Sequence, residues 1–168
     1  MASTNFMAVF TPLNNEPPAS NYATLDTRNS IPVLDFDPTT DEEAIFGGVL
    51  PNHYGGGGLT VTVVWATTSG TSGNAVWQGA FESNTDDADD LDADSFASFN
   101  SSGAVAAPSA TGEFAYDNIT FTDGAQIDSL AAGESYRFKL RRDADNTSAT
   151  DSLTATDLEV IRVIIKET

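Results

Sequence analysis

The chain has 168 residues, with seven Lys+Arg against 25 Asp+Glu and a formal charge of −18. So acidic a molecule is repelled by nucleic-acid phosphates and anionic membranes, which excludes both as expected partners. With 40% hydrophobic and 10% aromatic residues it is too apolar for a disordered acidic chain.

Absences narrow the field further. There is no cysteine, hence no disulfide framework, thiolate metal site or thiol nucleophile, and one histidine, His53, leaves little for general acid–base chemistry. The first residues have neither a basic start nor a long apolar run, so a secretory leader is not expected. No apolar stretch approaches the roughly 20 residues a membrane helix requires.

Residues 1–29 read as an extended arm. Pro12, Pro17 and Pro18 exclude a helix or central strand there. Phe6, Met7, Val9 and Phe10 are apolar nonetheless, so the arm should pack on the chain's own core or on a neighbouring subunit, which makes Phe6 and Phe10 candidate interface residues. From residue 30 to 168 the pattern is β.

Strands are expected at Val33–Phe36, Ala44–Leu50, Leu59–Ala66, Ala75–Glu82, Ala104–Ala107, Phe114–Thr122, Tyr136–Arg141 and Leu158–Lys166. Leu59, Val61, Val63 and Trp65 alternate with Thr60, Thr62 and Val64, the period of a half-buried strand. In the last segment Ile161, Val163 and Ile165 face one way and Val160, Arg162 and Ile164 the other, so its outer side needs cover. Asp123-Gly124 is placed as a tight turn. About eight short strands separated by Gly, Asn, Asp and Ser predict an all-β fold, an antiparallel, jelly-roll-like sandwich.

Few motifs carry chemistry. Asp90, Asp92 and Asp94 imitate the start of an EF-hand loop, but Ser95 stands where Gly is needed and Ser101 where a bidentate Glu belongs. They are a weak metal candidate, and the run reads first as a solvated or partner-facing acidic loop. Gly55–Gly58 is followed by a strand and no Lys-Ser or Lys-Thr, so it is no phosphate loop. The acids lie in polar loops, which disfavours a glycosidase pair in a lined cleft. No catalytic residue and no cofactor is expected. Arg137, Lys139, Arg141 and Arg142 hold four of the seven cations within six residues. Carboxylates of the same chain, or the acidic loop of a second copy, are the two ways of neutralising this stripe.

Several segments together, in order and spacing, resemble a group of small virion proteins of tailed bacteriophages. They are Pro32–Asp37, Thr40–Glu42, Leu50-Pro51, Gly58–Trp65 with Ser69 and Thr71–Asn74, then Leu130–Glu134, Tyr136–Asn146 and Leu158–Glu167. The resemblance covers about residues 30–168. It implies a jelly-roll cement or decoration protein on the outside of the phage head, often a homotrimer, non-enzymatic and bound to the major capsid protein. It places the protein in the virion after synthesis in the host cytoplasm. The alternative is a carbohydrate-binding sandwich of a tail fibre or spike, which requires exposed aromatics converging at one end. Trp65 and Trp77 lie in strand patterns and read as core, leaving Tyr54 and Tyr22 for stacking on a sugar.

Overall fold

The computed structural model describes residues 5–93 and 95–168. Among the described residues, ten strands form two antiparallel sheets: β1 Phe6–Phe10, β2 Thr24–Arg28, β3 Ile31–Phe36, β4 Glu43–Val49, β5 Leu59–Thr67, β6 Asn74–Asn84, β7 Asn100–Ala106, β8 Ala115–Phe121, β9 Ser135–Arg142 and β10 Leu158–Glu167. Sheet A has the order β2-β3-β10-β5-β8, with β1 also on β10, and sheet B the order β4-β9-β6-β7.

The pairings β3·β10, β4·β9, β5·β8 and β6·β7 are nested one inside the next. That is a long hairpin rolled so that its pairs fall alternately in two sheets, a jelly roll of eight strands. The expected β-sandwich is therefore what forms. The two further strands, β1 and β2, come from the stretch read as an arm. That stretch is extended, but it is built into sheet A: β1 pairs with Val163–Lys166 and β3 with Leu158–Val160, end to end along one edge of β10.

The core lies between the sheets and is dominated by rings. Trp77 meets Phe36 and Trp65 edge-on, and Phe81 contacts Phe121, Tyr136 and Phe138. Both tryptophans are fully buried. The Trp65 Nε1–H donates to Asp117 at 2.7 Å. Gly79 makes room for this cluster: a Cβ there would lie 2.8 Å from the Phe138 ring. Phe10 stacks on Phe46 at 5.3 Å and is buried, so it belongs to the chain's own core.

Two expectations about turns and faces change. Asp123-Gly124 leads into a short 3₁₀ turn at Ala125–Ile127, not into a hairpin, because the next strand pairs elsewhere. In β10 the register slips between Val160 and Arg162. This bulge adds one residue and reverses the parity of the strand beyond it. Leu158 and Val160 before it and Val163 and Ile165 after it all enter the core. Ile161 points outward and joins Val33 and Ala66 in a small second cluster.

Candidate functional site

The basic stripe lies on the outer face of sheet B. Alternation along β9 sends Tyr136, Phe138 and Leu140 into the core and Arg137, Lys139 and Arg141 outward. On either side, β6 presents Gln78 and Glu82, and β4 presents Glu43. Each cation finds a carboxylate of the same chain: Arg137 pairs with Glu82 at 2.9 Å, Lys139 with Glu43 at 3.2 Å, and Arg141 with Asp41 at 3.3 Å. Arg141 also donates through Nε to Gln78 Oε1 at 2.7 Å. Within one copy, carboxylates of the same chain thus neutralise the stripe.

The chain after β6 folds back over this face. Ala97 N–H donates to the Phe81 carbonyl at 2.8 Å and Ser95 N–H to Glu82 at 2.6 Å. This brings Phe96 beneath Arg137 and Lys139, at 5.1 and 4.3 Å from the ring centroid, and Phe99 beneath Arg141 at 4.1 Å. Cation–π attraction and ion pairing therefore hold the same three side chains. Neither phenylalanine is among the site residues expected from the sequence. Their signal there is two aromatics in an otherwise acidic loop.

Two adjoining depressions of about 530 and 600 Å³ share Arg137 and form a groove along the face. Its floor is Glu43, Ile45, Lys139 and Arg141. One wall is the Pro17–Asn21 segment; the far end is closed by the Thr85–Ala93 loop. Tyr22, half-exposed, bridges to Glu43 beside Asn21. The volume is that of a site for a small ligand or a short stretch of polymer.

Arg142 departs from the stripe. Its even position turns it inward with Tyr136, Phe138 and Leu140, and it is 0% exposed. All five guanidinium donors are used: two on Asp151 at 2.8 and 3.0 Å, and the others on the carbonyls of Leu153, Thr156 and Phe36. It ties the 143–157 connection to the sandwich and is no surface contact. Phe6 stays exposed, with Lys166 5.1 Å above its ring.

The carboxylates gather elsewhere than expected. Asp90 and Asp92 are exposed and Asp90 caps the Asp92 N–H at 2.9 Å; Asp94 lies outside the described residues. Among the described residues, Asp41, Asp143 and Asp145 bring three carboxylates within 4.8 Å. Donors already fill this cluster. Burial pushes Asp143 up, but Ser148 and Thr147 bond both its oxygens and together hold the acid well below its ordinary range. A second acidic group, Asp35, Asp37, Glu42 and Asp157, lines a depression of about 240 Å³ at the edge of sheet A. Asp35 Oδ1 is buried there without a hydrogen-bond partner.

No protein-family model matches the chain, and no curated protein matches it. Among solved structures, the xylan-binding module CBM15 aligns over 96% of this chain and 97% of its own, with a TM-score of 0.51 and 9% identity. The K3 cleaved adhesin domain of Lys-gingipain from Porphyromonas gingivalis covers 99% and 98%, at a TM-score of 0.41 and 13% identity. The first likeness is one of fold, a shared β-sandwich; the second is too loose to support an argument.

Proposed function

We propose that the protein is a non-catalytic β-sandwich binding protein whose groove on sheet B takes a neutral, hydroxyl-rich chain, a glycan. The observation that carries this reading is the paired floor of the groove. Arg137, Lys139 and Arg141 are each matched by a carboxylate, so an ionic ligand would have to break an existing pair. Sugar hydroxyls can instead donate to the carboxylates and accept from the cations with the pairs intact. Pro17 and Pro18 give the rim apolar surface for the sugar ring. The fold it shares with a xylan-binding module supports the same reading.

Isothermal calorimetry against soluble polysaccharides, xylan among them, tests it. Saturable heat is expected, with the affinity falling about tenfold or more in Lys139→Ala and Arg141→Ala. Absence of saturable heat with every polysaccharide would overturn the reading.

A second reading, capsid cement bound to the major capsid protein, is favoured by a different observation. The outer face of sheet A exposes Phe6, Val9, Phe114 and Tyr116. Large exposed apolar side chains on one sheet face suit attachment to another protein. Adding the purified protein to phage heads that lack it, and imaging them, separates the two: ordered density on the shell supports cement, and bare shells refute it.

A further inference from the structure

The two outer faces of the sandwich are chemically opposite. Beyond its bulge, β10 turns Arg162, Ile164 and Lys166 outward on sheet A. The registers set Arg162 beside Val64 and then Tyr116, Ile164 between Val9 and Thr62, and Lys166 between Phe6 and Thr60. Phe6, Val9 and Tyr116 are 59%, 54% and 64% exposed.

Of the seven cations, Arg28, Arg137, Lys139, Arg141 and Arg142 are ion-paired. Among the described residues, Arg162 and Lys166 are not: Arg162 donates to the Ile161 carbonyl and Lys166 lies over the Phe6 ring. In a molecule of −18, both described cations without a carboxylate partner therefore stand on one sheet face, among Phe6, Val9 and Tyr116 and the polar row Thr60, Thr62, Asn118 and Thr120.

The complementary surface is on the same chain, on the other side of the sandwich. The loop after β6 is tied by its own turns, with Thr85 N–H donating to Asp89 at 2.6 Å and Asp92 N–H to Asp90 at 2.9 Å. It presents Leu91 fully exposed between Asp90 and Asp92. An apolar knob flanked by carboxylates fits a face that sets two cations without carboxylate partners beside exposed Phe6, Val9 and Tyr116. The loop closes the sheet B groove, so it cannot reach the sheet A face of its own molecule.

We infer that the outer face of sheet A, centred on Arg162, Ile164 and Lys166, is a docking surface for the Asp86–Asp92 loop of a second copy of this chain. The contact is heterologous, one patch against a different patch, so it closes into a ring or propagates as a string. This inference is independent of the glycan reading, and binding of polysaccharide by a monomer would leave that reading intact.

Sedimentation velocity over a concentration series, near physiological salt, tests the inference. Salt alone does not discriminate, because it screens the net repulsion between copies as well as the local attraction. The wild type is expected to associate. Arg162→Glu with Lys166→Glu should weaken association about tenfold or more, as should Leu91→Asp. Combining Arg162→Glu and Lys166→Glu with Asp90→Lys and Asp92→Lys should restore it, which no general loss of folding could do. A wild type monomeric at the highest concentration reached, association indifferent to these variants, or failure of the reversed charges to restore it would overturn the inference.

Discussion

At the scale of single residues, two carboxylates are shifted by folding in opposite directions. Asp35 is pushed up to about 6, first by burial and then by Glu159, Asp26, Asp157 and Glu42. An acid whose value is raised by folding binds a proton more tightly in the native state, so stability from this group grows as pH falls through 6 and is lost as pH rises. Asp35→Asn should therefore raise the melting temperature at pH 8 and flatten its dependence on pH between about 4 and 6. A thermal-shift series across that interval checks it. Asp143, held low, acts in the other sense, stabilising above the ordinary carboxylate range and losing that contribution in acid. Arg142 is different because its partners leave no donor unused. Arg142→Ala should cost about 3–5 kcal/mol, since it strands the Asp151 carboxylate in the interior. Replacing both by leucine should cost less than the single change, and urea denaturation of the three variants reads the difference. The inward course of Arg142 was legible: it shares parity with Tyr136, Phe138 and Leu140, and only its proximity to Arg141 suggests the surface.

At the scale of elements, β9 alternates without a break and its buried face could be read directly from residue types, whereas β5, read as half-buried, is buried on both sides, Thr62, Val64 and Ala66 included. β10 could not be read in that way. Its residues are apolar on both sides, so nothing in the pattern marks the extra residue at Ile161, and the bulge decides which half faces inward. β1 and β2 were hidden for another reason. Their pairing depends on β10 and β3, far along the chain or across a tight turn, and the prolines between them dominate the local signal. Packing between elements turns on small residues as much as on rings. Gly79→Ala would force the Phe138 ring from the position it holds beside Phe81, at a cost of about 1–3 kcal/mol. The midpoint of chemical unfolding should fall with little change in its slope.

At the scale of the whole molecule, the charge of −18 resolves into an unequal surface. Sheet B neutralises its cations with its own carboxylates and leaves a polar groove, while sheet A keeps two cations without carboxylate partners among the described residues. The jelly roll was legible from composition and strand spacing, but this division was not, because the partners of Arg137, Lys139 and Arg141 come from β4, β6 and the segment before β4. Phe96 and Phe99 complete the face from a loop whose acids draw attention first. The proposed glycan groove and the proposed docking surface fall on opposite sides of this division. An amide-resolved NMR titration with soluble polysaccharides tests that arrangement most directly. Saturable shifts should gather at Glu43, Ile45, Lys139 and Arg141 and spare Val9, Tyr116 and Ile164. Shifts confined to the outer face of sheet A, or none with any polysaccharide, would contradict it.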